Sequence, residues 1–207
     1  MKVVRADEMY RYEQKIMQEK QVPALVLMEE AARAVVKQMK RTITQQDRML
    51  IVASGGNNGA DGIAVGRILH NEGFAVTIFL TAAKKVSREN QRQQNIARAY
   101  GVPIVTEWQL LELNDYSVVV DGLFGIGLSR TLSGEVLEII EQINRAQNIV
   151  YAIDLPSGIS AQDGTVLGTA VEADETITFG FYKYGMEEPA LQKYFGEITV
   201  DDIGFFY

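Results

Sequence analysis

The sequence predicts an α/β fold on a mostly parallel sheet with helices on both sides. Short β-rich runs alternate with amphipathic helical stretches along most of the chain. Most of the β-rich runs are too continuously apolar to have a wet face, which is the pattern of a sheet covered on both sides. Three of them end in clusters of Gly, Asn, Asp and Ser, as expected where strand carboxyl ends open on a ligand crevice.

From Val3 to Gln21, and again from Ala24 to Thr42, apolar residues recur at three- and four-residue spacing, for example Leu27, Ala31, Ala34, Val35 and Met39. This predicts two helices, with Pro23 at the start of the second. A strand over Met49 to Ala53 then leads through a Gly-rich turn into a helix over Asp61 to Glu72. Asn71-Glu72-Gly73 marks the turn into a strand over Phe74 to Leu80. A helix over Arg88 to Tyr100 ends at Gly101, before strands over Val102 to Val105 and Val118 to Val120. The remainder reads as a helix over Gly134 to Ala146 and strands over Ile149 to Ile153, Thr176 to Phe179 and Glu197 to Val200. The aromatic end Phe205-Phe206-Tyr207 is expected to dock on the domain or on a second subunit. No linker, repeat or low-complexity stretch divides the chain, so residues 1–207 are expected to form one domain.

Composition narrows the function. With 20 Lys and Arg against 27 Asp and Glu, the formal charge is −7. That balance disfavours general affinity for nucleic acid or anionic membrane, both of which reward clustered cations. The absence of cysteine removes disulfides, thiolate metal sites and thiol nucleophiles, and with a single histidine it excludes the usual structural zinc site. Charged residues interrupt the first twenty positions, and no run of about eighteen apolar residues occurs, so the expected address is the cytoplasm.

The chemistry concentrates after three strands. The first segment is Ser54-Gly55-Gly56-Asn57-Asn58-Gly59-Ala60-Asp61-Gly62, a Gly-rich turn that opens a helix and offers N–H groups to a phosphate. It is neither G-x-G-x-x-G nor a P-loop, which weakens ordinary hydride-transfer and NTPase readings. The second is Asp121-Gly122-Leu123-Phe124-Gly125-Ile126-Gly127, continued by Leu128-Ser129-Arg130-Thr131, which brings hydroxyls and a guanidinium. The third is Asp154-Leu155-Pro156-Ser157-Gly158. Two aspartates ending apolar strands beside glycines point to a shared site. Asp121, Asn58, Ser157 and main-chain carbonyls carry too little charge for a tight divalent cage and suit a monovalent ion better. Ser157 lies outside a nucleophile elbow and His70 sits within a helix, which disfavours a Ser-His-Asp hydrolase. Lys183, after a strand that should end near the others, is read as a phosphate ligand. Tyr151, Phe181, Tyr182 and Tyr184 are read as core, and Lys84, Lys85, Arg88 and Arg92 as a solvated face.

These three segments, in this order and spacing, resemble the YjeF N-terminal domain family, whose characterised activity is NAD(P)H-hydrate epimerase. The likeness runs from Met28-Glu29-Glu30-Ala31 to Asp202-Ile203-Gly204-Phe205. Two positions depart from the family pattern: Ala60 stands for a usual Gly, and Glu30 for a common Asn.

The resemblance implies a three-layer α/β/α sandwich with a Rossmann-like, mostly parallel sheet, often found as a homodimer. It implies a potassium ion on Asn58, Asp121 and Ser157. It also implies binding of hydrated NADH or NADPH by Asn57, Asn58, Gly59, Ala60 and Asp61, by Gly125 to Thr131, and by Asp154. No fused dehydratase domain is expected within this length, so a separate dehydratase would be the functional partner. Epimerisation needs a group that gives and takes a proton, and Asp154, the carboxylate not assigned to the cation, is expected to fill that role. The rival reading is a non-catalytic module of the same fold that binds a nucleotide or RNA-like ligand.

Overall fold

The computed structural model describes residues 2–206. Along the chain come β1 (Val3–Val4), α1 (Ala6–Glu19), α2 (Ala24–Met39), β2 (Arg48–Ala53), α3 (Asn57–Asn71), β3 (Ala75–Leu80), α4 (Arg88–Ala99) and β4 (Ile104–Val105). They are followed by β5 (Val118–Gly122), α5 (Glu135–Arg145), β6 (Ile149–Ile153), β7 (Glu175–Phe179), β8 (Tyr182–Lys183), α6 (Gln192–Phe195) and β9 (Glu197–Asp201).

Seven parallel strands form the main sheet in the order β4-β3-β2-β5-β6-β7-β9. The chain winds outward from β2 in one direction through β3 and β4, then returns to pair β5 on the other side of β2. That reversal opens a crevice beyond the carboxyl ends of β2 and β5, where ligands of doubly wound sheets collect. β1 and β8 form a small parallel pair of their own.

Alternate side chains of each strand feed two separate cores. Met49, Ile51, Ala53, Ile78, Val120 and Ile153 face one layer, against α1 to α4. Leu50, Val52, Phe79, Val119 and Ala152 face the other, against α5 and Trp108. Both faces are therefore dry, as the unbroken apolar runs require.

Several boundaries differ from the sequence reading. Val3 and Val4 are not helical; they pair with Tyr182 and Lys183 as β1. The helix begins at Ala6, where the Glu8 carboxylate accepts a hydrogen bond from the Arg5 N–H. α3 starts at Asn57, four residues earlier than expected, so the Gly-rich segment is the first turn of the helix and not a loop before it. Gly59 permits this because a Cβ there would stand 2.0 Å from the Ser54 carbonyl oxygen. β5 continues to Gly122, which places Asp121 inside the strand. The expected strand over Val102 to Val105 keeps only Ile104 and Val105. At the carboxyl end Phe206 is buried against Phe181, so this part of the aromatic tail docks on the domain itself; Tyr207 lies outside the described residues.

Candidate active site at the carboxyl ends of β2, β5 and β6

The turn after β2 is braced from behind. The buried Asn90 amide donates to the Ser54 and Gly56 carbonyls, both at 2.8 Å, while Ser87 Oγ caps α4 by accepting from the Asn90 N–H. Gly56, the N-cap of α3, supplies no side-chain acceptor, and the first turn carries no acidic residue. The opening N–H groups thus keep a partial positive charge for an electron-rich partner. Two side chains of this segment hold buried polar atoms that lack a partner among the described residues: Asn58 Nδ2 and Asp61 Oδ1. Most buried polar groups in folded proteins are hydrogen-bonded, so these two atoms can each take a partner brought by a ligand or solvent.

Asp121 and Ser157 tie the second and third segments together. Ser157 donates its hydroxyl to Asp121 Oδ1 at 2.6 Å and its N–H to Asp121 Oδ2 at 2.7 Å, and Ser157 Oγ accepts from the Phe124 N–H at 2.8 Å. Both residues are wholly buried. Burial pushes the Asp121 carboxyl up to about 6, opposed by the donors from Ser157 and Leu123.

Asp154 follows β6 with a left-handed backbone (φ 68°). Aspartate tolerates this conformation better than most residues, and a hydrogen bond from its N–H to the Ile177 carbonyl at 2.8 Å holds it there. Its two oxygens differ. Oδ1 meets Lys183 Nζ at 2.6 Å and accepts from Thr178 Oγ1 at 3.1 Å. Oδ2 accepts nothing from the described residues and faces Gly125, where an added Cβ would stand 3.2 Å from it and 3.1 Å from Asn58 Oδ1. Glycine therefore lets this backbone come close to both side chains, and Asp154 presents one anchored and one free oxygen to the crevice.

Lys183 corrects the sequence reading. Its ammonium is fully buried and engaged by Asp154, by Thr178 Oγ1 at 2.7 Å and by the Phe179 carbonyl at 2.7 Å. It holds Asp154 and does not reach a phosphate. Ser129, Arg130 and Thr131 are exposed, whereas Leu128 turns into the second core and Ala60 is buried, so those two offer the crevice only backbone. His70 lines a shallow cavity with Arg48, Ala75 and Tyr116 at the amino ends of the strands, the end of the sheet away from Ser157; no Ser-His-Asp array forms.

Two residues were missed, Asn90 behind the turn and Glu13 of α1. Glu13, on the stripe of α1 between the buried Met9 and Ile16, is pushed up to about 7 by burial and then by the Asp154 charge, with Lys183 opposing. Asp61 is pushed well above the usual carboxylate range by burial, then by Asp154 and Glu13. The spacing Met9, Glu13, Ile16, an acid on an apolar stripe, was the available signal.

Three residues could offer oxygen to a monovalent cation: Asp121 through its carboxylate, Ser157 through its hydroxyl, and Asn58 through Oδ1, which accepts no hydrogen bond among the described residues. The partnerless Asn58 Nδ2 is a donor and calls for an acceptor, not a cation.

Fold and site together define a doubly wound α/β protein with the carboxylates Asp121 and Asp154 at the carboxyl ends of β5 and β6, beside its switch point. The family described as YjeF-related protein N-terminus matches residues 24–185, and the chain belongs to it. Among relatives, the NAD(P)H-hydrate epimerase of Oenococcus oeni is 41% identical, covering 89% of this chain and 88% of its own. That of Limosilactobacillus reuteri is 40% identical, covering 98% and 96%. A yeast protein of known crystal structure, YNL200c, shares the fold with a TM-score of 0.82 at 18% identity, covering 97% of this chain and 87% of its own.

Proposed function

We propose that this chain is an NAD(P)H-hydrate epimerase, an isomerase that interconverts the R and S forms of hydrated NADH or NADPH. The observation that carries the reading is Asp154: a carboxylate with Oδ1 fixed by Lys183 and Thr178 and Oδ2 left free beside Gly125. The epimerase relatives at about 40% identity over nearly the whole chain support it.

In the hydrated dinucleotide, C6 bears a hydroxyl and the ring nitrogen. Inversion needs C6 to become planar, either by loss of the hydroxyl to leave an iminium or by ring opening to an aldehyde, and then to be closed from the other face. Both routes move a proton on and off oxygen. Asp154 Oδ2 moves it, directly or through a water molecule, while Lys183 keeps the carboxylate oriented. The open N–H groups at the start of α3, with the exposed Arg130, Ser129 and Thr131, hold the anionic part of the substrate. Asn58, Asp121 and Ser157 would hold potassium, which would offset the Asp121 charge and order the three turns. The same reading carries a separate S-specific dehydratase as functional partner, a homodimer and a cytoplasmic address. Among the described residues no helix is long and apolar enough to cross a membrane.

The test mixes both epimers of hydrated NADH with a dehydratase that consumes only S and follows the R peak by chromatography, after subtraction of the spontaneous rate. Faster loss of R in potassium buffer, abolished in Asp154→Asn with dinucleotide binding retained, is the expected result. Binding without acceleration would point to the non-catalytic module instead.

A further inference from the structure

A dinucleotide bound across a doubly wound sheet lays one nucleotide on each side of the switch point. With the nicotinamide end at Asp154 after β6 and the anionic middle at the start of α3, the adenosine end falls over the carboxyl end of β3. Neighbouring strands lie about 4.8 Å apart, so the three steps from β6 through β5 and β2 to β3 span about 14 Å. The segment after β3 packs directly on the Gly-rich turn. Thr81 donates its N–H to the Ala53 carbonyl at 3.0 Å, and Ser87 donates its N–H to the Gly55 carbonyl at 2.9 Å. A Cβ on Gly55 would stand 2.8 Å from both Ala83 Cβ and the Lys85 carbonyl oxygen.

The charge on this segment is one-sided. Phe74 to Arg88 contains Lys84, Lys85 and Arg88 and no aspartate or glutamate, in a chain whose formal charge is −7. All three cations are exposed. The ion pairs among the described residues all use other cations. The first acid after β3 is Glu89, half-buried in the first turn of α4. In dinucleotide sites of this topology, an acid after the strand next to the Gly-rich turn accepts a hydrogen bond from the ribose 2′-hydroxyl, and a cation there accommodates a 2′-phosphate. Here the lysines stand where that acid would be.

Resting on the epimerase reading, we propose that Lys84, Lys85 and Arg88 form a subsite for the ribose 2′-phosphate, so that this chain prefers NADPH-hydrate over NADH-hydrate. The phosphate brings negative charge and strong acceptor oxygens. Arg88 meets it with a planar fork of donors and the two lysines with point charges. NADH-hydrate has only a hydroxyl at this place, and no carboxylate between Phe74 and Arg88 accepts it. Because single exposed ion pairs contribute little, the preference belongs to the cluster and not to one of its members.

The experiment measures kcat/KM for the R epimers of hydrated NADPH and hydrated NADH at one ionic strength. It compares the wild type, a triple variant with Lys84→Gln, Lys85→Gln and Arg88→Gln, and Lys37→Gln, which removes an exposed cation from the last turn of α2. The wild type should favour NADPH-hydrate by about tenfold or more, the scale of one hydrogen bond to a charged group. In the triple variant the ratio should fall below about twofold, with KM carrying the change, while Lys37→Gln keeps the wild-type ratio. Equal use of both substrates by the wild type, a preference that survives the triple variant, or one that falls as far in Lys37→Gln overturns the proposal. A second measurement needs no turnover: calorimetric titration of the wild type with adenosine 2′,5′-bisphosphate and with AMP. The bisphosphate should bind about tenfold more tightly, and equal affinities overturn the subsite even if the triple variant does not fold. A wild type that accelerates loss of neither R epimer but keeps this difference refutes the epimerase reading and leaves the subsite standing. Acceleration without the difference does the reverse.

Discussion

Lys183 Nζ lies 2.6 Å from Asp154 Oδ1, with the lysine wholly buried and the aspartate side chain 13% exposed. The two residues stand 29 positions apart and are brought together because β8 folds back beside the end of β7 after Gly180, which has a left-handed backbone (φ 71°). Removing one member of such a pair strands the other charge, whereas removing both does not.

Lys183→Met is therefore expected to lower stability by about 3 kcal/mol, since breaking a buried pair costs about 3–5 kcal/mol and Asp154 retains some solvent. For a chain of this length each kcal/mol moves Tm by about 2–4 °C. Turnover should fall at least about tenfold, because Oδ1 loses its strongest anchor. Thermal melts of Lys183→Met, Asp154→Asn and the double variant check the argument. A double variant no more stable than Lys183→Met alone would show that the charge pair is not what the lysine supplies.

Gly125 makes a prediction of the opposite kind, in which the site suffers more than the fold. A Cβ at this position would meet Asn58 Oδ1 at 3.1 Å and Asp154 Oδ2 at 3.2 Å, tight contacts with two side chains assigned to the site. Its φ is not in the left-handed region, so alanine brings no backbone strain. Gly125 is buried, but the atoms an added Cβ would meet are the ends of two side chains and not backbone, so Gly125→Ala should lower Tm by only about 2–4 °C, the effect of about 1 kcal/mol of overpacking. It should also reduce kcat/KM by about tenfold or more, corresponding to about 1.4 kcal/mol of misplacement. Steady-state kinetics beside a melt separates the two effects.

The sheet and most helices were legible because their residues carry clean periodicities: the buried stretches Met49–Ala53 of β2 and Val150–Ile153 of β6 stand where the apolar runs are. Val3 and Val4 were misread because two residues are too few for period to separate strand from helix; their state is fixed by pairing with Tyr182 and Lys183, far along the chain. The site was legible where chemistry interrupts an apolar run, as at Asp121, Asp154 and the Gly56 to Asp61 segment. Lys183 was noticed and given the wrong partner, since nothing local says that its ammonium turns inward to Asp154. Asn90, which braces the Gly-rich turn through two carbonyls, and Glu13 were hidden for the same reason: a polar residue inside an otherwise ordinary helix gains meaning only from what the fold brings against it.

Potassium supplies the last prediction, and its sign depends on Asp121. Burial holds this carboxyl at about 6, above its ordinary value, so the folded state keeps the proton where the unfolded chain has lost it. Without a cation, stability contributed by this group is greatest below the unfolded value and is lost as pH rises toward 6 and beyond. A monovalent ion held by Asn58, Asp121 and Ser157 offsets that loss only where Asp121 is ionised. Exchanging choline for potassium should accordingly raise Tm at pH 7.5, by about 5–10 °C if free potassium is about a hundred times its Kd, since such binding adds about 2.7 kcal/mol. The rise should vanish near pH 5, where Asp121 is protonated. Asn58→Ala removes one proposed ligand without breaking a side-chain hydrogen bond among the described residues, so it should abolish the potassium-dependent rise and leave the choline melt nearly unchanged. A rise of equal size at pH 5 and pH 7.5, or one that survives Asn58→Ala, would place the ion elsewhere on the protein.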